Sequence, residues 1–150
     1  MVMTKGQLLR AIDSARVKEA IDNAERRTSG EISVSVAPLF WGDVEKAAWK
    51  AFARMGVSAT KERNGVLIFV VPSRRRFAVL GDSGIHAKVG QEFWANVAAH
   101  LSENFHTADF TRGLVNAIEE IGEQLAVHFP FNKASDSNEL SNEIDFGEQS

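Results

Sequence analysis

Apolar residues recur along this chain with two different periods, and the changes between them mark the elements. From about Lys5 to Thr28, Leu8, Ile12 and Ala15, then Val17, Ile21 and Ala24, return at three- and four-residue steps with charges between them, the spacing of one buried helix face. Ser29-Gly30 ends that helix, because glycine takes the left-handed closing conformation cheaply. Ile32, Val34 and Val36 then alternate with Ser33, Ser35 and Ala37, the period of a strand with two unlike faces. Pro38 to Gly42 breaks the strand, and Asp43 is placed to cap a helix whose stripe is Val44, Ala47, Ala48, Ala51, Phe52 and Met55. Gly65 opens the run Val66 to Val71, too short for a buried helix and bounded by turn residues, which reads as a central strand covered on both faces.

Pro72 to Arg75 turns the chain, and Arg76 to Leu80 returns as an antiparallel strand. Gly81 to Gly84 reads as a turn. Phe93, Trp94, Val97, Ala98, Leu101 and Phe105 predict a helix from about Gly90 to Phe105. Thr107 or Asp109 caps a last helix striped by Phe110, Leu114, Ile118, Ile121, Leu125 and Phe129 and stopped by Pro130. Strand, helix, strand implies a right-handed parallel crossover. The expected fold class is therefore α/β, a single-domain three-layer α/β/α sandwich around a small mixed, mostly parallel sheet. Residues 1–130 form the domain and 131–150 an acidic tail, mobile unless docked, whose Asn142 to Phe146 could add a fourth strand.

Composition narrows the chemistry. The 150 residues include no cysteine, which removes disulfides, thiolate nucleophiles and thiolate metal sites together and leaves oxygen or imidazole for any metal. The 17 Lys and Arg oppose 20 Asp and Glu. From Phe131 onward one base, Lys133, faces five acids, Asp136, Glu139, Glu143, Asp145 and Glu148. The body is therefore close to neutral, and without a basic footprint no nucleic acid is expected as a partner. No apolar run approaches the length that spans a bilayer, and Met1 to Arg10 lacks the apolar core of a signal peptide. These features point to a cytoplasmic chain with no stable membrane insertion.

Several motifs fail on context. Gly81-Asp82-Ser83-Gly84 superficially matches a serine-hydrolase nucleophile, but no histidine stands in a partner motif and helices dominate. His86, His100, His106 and His128 include no i, i+4 pair that would set two imidazoles on one helical face, so they read as solvated or capping residues. Neither GxGxxG nor a Walker-type loop occurs, so no nucleotide cofactor is expected. Arg74-Arg75-Arg76 is either an anion clamp or a solvated hairpin tip.

One constellation survives. If the strand at Ile32 runs parallel to that at Val66, both begin at one end of the sheet, and the returning strand finishes there. Glu31, Arg63, Asn64, Asp82 and Ser83 then share a rim. Carboxylate, amide and hydroxyl oxygens suit a hard divalent cation, calcium with magnesium as the alternative, so the expected metal ligands are Asp82, Glu31, Asn64 and Ser83. The competing reading pairs Glu31 with Arg63 and makes Asp82 an Asx turn that caps the following segment. On the opposite rim, beyond the carboxyl ends of the parallel strands where ligands of open α/β sheets usually bind, Trp41, Asp43, Arg74 and Arg75 are a secondary anion or partner contact, with Arg63 as a further candidate. Phe40 and Trp41 alternatively bury as a helix-entry staple.

Thr28-Ser29-Gly30-Glu31-Ile32-Ser33-Val34, Arg63-Asn64-Gly65-Val66-Leu67-Ile68 and Arg76 to Asp82 followed by Gly84-Ile85 resemble the TPM domain family, named for thylakoid phosphatase-like, photosystem repair and receptor-assembly proteins. The likeness runs from about Leu8 to Pro130. His128-Phe129-Pro130 with Asn138-Glu139-Leu140 and Glu143-Ile144 resembles its short, stand-alone bacterial branch. The resemblance implies an α/β/α sandwich similar to a Rossmann unit, calcium binding as in some members, and the weak acid phosphatase activity assigned to a plant member. Other members serve the maintenance or repair of membrane complexes. Exported relatives carry a signal peptide, a C-terminal membrane segment and a more glycine-rich turn after the returning strand, from which Gly81 to Gly84 departs. The expected function is a calcium-binding interaction module with an unidentified protein partner and no catalytic residues; the alternative is a weak metal-assisted acid phosphatase.

Overall fold

A computed structural model of the protein describes Gln7, residues 10–131 and residues 141–147. The expected helix start near Lys5, Leu8 and the motif Asn138-Glu139-Leu140 lie outside the described residues. The elements are helix α1 (Ser14–Glu25), strand β1 (Glu31–Val36), helix α2 (Val44–Arg54), strands β2 (Gly65–Val71) and β3 (Arg76–Gly81), and helices α3 (Ser83–His106) and α4 (Phe110–His128). Among the described residues, no helix is long and apolar enough to cross a membrane.

Two helix starts differ from those the periodicity predicts, each for a local reason. The helical backbone at Gln7, Arg10 and Ala11 is interrupted before α1. There Asp13 caps α1, accepting from the Arg16 amide, while its own amide donates to Thr111 Oγ1 of α4. Helix α3 begins at Ser83, not near Gly90, and Gly90 is a kink inside it with φ of 75°. Ser83 and Gly84, expected in a turn, are its first residues. Asp43 caps α2 as expected, its carboxylate accepting from the Lys46 amide.

The sheet order is β1-β2-β3, with β1 parallel and β3 antiparallel to β2. Ile32, Val34 and Val36 join Val66, Ile68 and Val70 in one face, packed on Ile21 of α1, Val97 of α3 and Leu114 and Ile118 of α4. Leu67, Phe69, Val71 and Leu80 form the other face under Val44, Ala48 and Phe52 of α2. A helix layer therefore covers each face, which explains why β2 is apolar at every position. The serines of β1 are nonetheless buried. Segment 141–147 crosses the outer edge of β1: the Asp145 amide donates to the Val34 carbonyl at 2.9 Å, and the Val36 amide donates to the Asp145 carbonyl at 2.7 Å. This single parallel bridge between Ser35 and Asp145 supplies the edge pairing expected of Asn142 to Phe146.

Candidate functional site

Parallel pairing aligns Glu31 with Gly65, and the Asp82 amide donates to the Gly65 carbonyl at 2.9 Å. Glu31 and Asp82 thus share the rim at the start of β1 and β2, as the topology requires. They flank β2 from opposite sides, two strand spacings or about 10 Å apart along the sheet.

Asp82 is 6% exposed and caps α3. Its carboxylate accepts a two-bond fork from Arg63, Nε to Oδ2 at 2.8 Å and Nη2 to Oδ1 at 3.1 Å, and also the Ser83 amide at 2.7 Å. Arg63 has a left-handed backbone, φ of 54°, which turns its carbonyl toward α3 to accept the amides of Gly84 at 2.8 Å and Ile85 at 3.3 Å. Amides that a helix start leaves unpaired are thereby satisfied by one residue and its neighbour. A Cβ at Gly84 would lie 2.1 Å from the Glu62 carbonyl oxygen, so only glycine admits this approach. Hydrogen bonding to Asp82, and then its charge, raises the Arg63 pKa above its ordinary value. Asp82 caps the following segment, as the competing reading expects, whereas Arg63 pairs with Asp82 and not with Glu31.

Asn64, 1% exposed, sits between the two carboxylates in chain and in space. Its Nδ2 donates to Ser29 Oγ at 3.3 Å and Glu62 Oε2 at 3.5 Å, and Ser29 Oγ donates to Glu62 Oε2 at 2.8 Å. Its Oδ1 is buried with no partner among the described residues. A buried acceptor left unpaired is costly, which makes this oxygen a natural ligand for a cation. Ser83 is exposed beside it on the rim. Ser29 and Glu62 escaped the reading of the sequence, because they join the rim only through the loops that precede β1 and β2. Among the described residues, no three Asp, Glu or His side chains are grouped to hold a metal ion. Any cation here would rest on Asp82 and neutral oxygens, with Glu62 the nearest further carboxylate in the chain of hydrogen bonds.

Glu31, 2% exposed, faces a different neighbour. Burial pushes the Glu25 carboxyl up to about 9, and the charge and hydrogen bond of Glu31 push the same way against the Ile32 amide, which donates to Glu25 Oε2 at 3.0 Å. Glu25 therefore keeps its proton at neutral pH, with Glu31 and Asn142 of segment 141–147 as its side-chain neighbours.

On the opposite rim, Arg74 Nη1 donates to the carbonyls of Phe40 and Gly42, both at 2.9 Å, with its guanidinium 5.4 Å from the Phe40 ring centroid. Arg75 Nη1 donates to the His106 carbonyl at 2.9 Å. Both arginines thus tie loops together. Phe40 packs edge-on against Phe69 of β2, while Trp41 is 87% exposed and so does not bury as a helix-entry staple. Asp43 is the α2 cap described above.

A model of the TPM domain matches residues 2–124. The NMR structure of BA42 protein from the psychrophilic bacterium Bizionia argentinensis is 35% identical, with a TM-score of 0.83 over 93% of this chain and 94% of that one. The N-terminal domain of cg2496 protein from Corynebacterium glutamicum is similar in fold, with a TM-score of 0.57 at 14% identity over 91% of this chain and 79% of that one. No curated protein matches.

Proposed function

Because the chain belongs to the TPM domain family, we propose that it is a non-enzymatic module that holds a divalent cation, calcium, on the rim at Asp82 and so orders a surface for a protein partner. The observation that carries this reading is the buried Asn64 Oδ1, without a partner among the described residues and next in the chain to the arginine that neutralises Asp82. Asp82 and Asn64 would hold the ion, with Ser83 and Glu62 as further oxygens. A hard cation favours such donors. The Arg63 side chain is 54% exposed and can leave for solvent when a cation replaces its charge, so binding exchanges a fixed guanidinium for a free one and alters the surface a partner meets.

Calcium should stabilise the intact chain by about 2.7 kcal/mol at a hundredfold excess over the dissociation constant, read as a rise in melting temperature. Asp82→Asn should abolish the rise, and Arg63→Gln should strengthen binding by removing the competing charge. An equal rise in Asp82→Asn, or none in the native chain, would reject the reading. Turnover of 4-nitrophenyl phosphate at acid pH, abolished by Asp82→Ala, would replace it with the metal-assisted phosphomonoesterase.

A further inference from the structure

In an antiparallel pair, alternate residues exchange both backbone bonds with the neighbouring strand, and those between turn N–H and C=O away from it. The bond from the Asp82 amide to the Gly65 carbonyl sets this phase. With Val66 opposite Gly81 and Val71 opposite Arg76, the backbones of Arg76, Ala78 and Leu80 turn to β2, and those of Phe77, Val79 and Gly81 turn outward. Bonds from the Glu31 amide to the Asn64 carbonyl and from the Ala37 amide to the Val70 carbonyl confirm that β2 gives its even-numbered residues to β1 and its odd ones to β3. The outward groups of Phe77, Val79 and Gly81 have no partner among the described residues.

These groups open into a cleft of about 370 Å³ between α2 and α3. Asp43 and Glu45 stand on the α2 wall, and Trp94, Ala95 and Ala98 on the α3 wall, with Arg76 at one end. An added strand would alternate its side chains between these walls, meeting carboxylates with every second residue and small apolar surface with the others. The other edge of the sheet shows the same helix working with the opposite sign. There Arg54, at the far end of α2, holds the Asp145 carboxylate by two bonds of 3.0 and 2.7 Å while the tail backbone pairs with β1. Helix α2 therefore presents a base to whatever lies along β1 and acids to whatever lies along β3, so the acidic tail suits the first edge and not the second.

We propose that the open edge of β3 is a docking edge for an extended segment of a partner protein in which basic residues alternate with small apolar ones. The segment adds to the sheet through the backbones of Phe77, Val79 and Gly81, and its bases face Glu45 and Asp43. The test is run with chelator to keep it separate from the Asp82 rim.

The experiment titrates the full, isotope-labelled chain with the acetylated and amidated heptapeptide Lys-Val-Lys-Ala-Lys-Val-Lys and, as control, with the same peptide carrying glutamate for each lysine. The expected result is a saturable shift of the Phe77, Val79 and Gly81 amides with slowed exchange, and at least tenfold weaker binding of the glutamate peptide. Glu45→Lys should reverse that preference. Val79→Pro removes an outward donor that β2 does not use and should abolish binding while leaving a cooperative melt. If that variant does not fold, the charge reversal at Glu45 decides. Unshifted edge amides at millimolar peptide, or an equal response to both peptides, overturn the proposal. Protection of these amides that grows with protein concentration and no peptide also overturns it, and assigns the edge to a second copy of the chain.

Discussion

Glu25 holds its proton because burial and the neighbouring Glu31 both disfavour a second charge. The folded chain therefore keeps a proton from about pH 4.5 to about pH 9 that the unfolded chain has lost, so stability falls as pH rises through that window. Glu25→Gln supplies a permanent N–H to Glu31 and an oxygen to the Ile32 amide. It should raise stability at pH 8 by on the order of 2 kcal/mol, and it should flatten the difference between melts at pH 5 and pH 8. Gly84 is the complementary case, fixed by shape and not by charge. Gly84→Ala drives a Cβ against the Glu62 carbonyl, 2.1 Å away, and should cost about 2–3 kcal/mol in urea denaturation. A hint of Glu25 is legible in the sequence, since it falls four residues after Ile21 on the apolar stripe. What the sequence lacked was its neighbour, because Glu31 meets it only when α1 packs beside β1.

Among the elements, the docked tail depends on one carboxylate. Burial alone would raise the Asp145 pKa, but hydrogen bonds from Arg54 and Ser35 and the charge of Arg54 win and hold it below the ordinary value. A lowered carboxyl contributes stability that is present above its unfolded pKa and lost as the pH falls through its folded one, so acid below about pH 4 should loosen segment 141–147. Arg54→Ala at neutral pH should do the same at a cost of about 1–2 kcal/mol, since the pair is partly exposed. Faster amide exchange at Val36, whose N–H the Asp145 carbonyl accepts, is the measurement that checks it. The start of α3 shows why periodicity alone misplaces an element. Gly84 and Gly90 weaken the helical pattern, and only the Arg63 carbonyl and the Asp82 cap, both supplied by the rim, make Ser83 the first helical residue.

For the molecule as a whole, the two sheet edges are the open questions of the fold, since both faces are covered. Deleting the residues after Phe131 would uncover the backbone of Val34 and Val36 and leave both edges unpaired. Such edges recruit other chains. The shortened chain should melt lower than Arg54→Ala and show concentration-dependent association in sedimentation, whereas the intact chain, with that edge covered, should show none through β1.

Periodicity by itself determined the order of the elements, the covered central strand, the Asp43 cap and the shared rim, because burial of an apolar face depends on spacing that any stretch of chain displays. It put Asp82 on the rim of Glu31 but expected the two side by side, whereas the order β1-β2-β3 sets the start of β2 between them. Only the tertiary structure decided which partner each rim group takes: Arg63 for Asp82, Glu25 for Glu31, Arg54 for the tail. Those choices turn on separations of a few ångströms between residues far apart in the chain, and electrostatic and hydrogen-bond energies change steeply over that distance while hydrophobic burial does not.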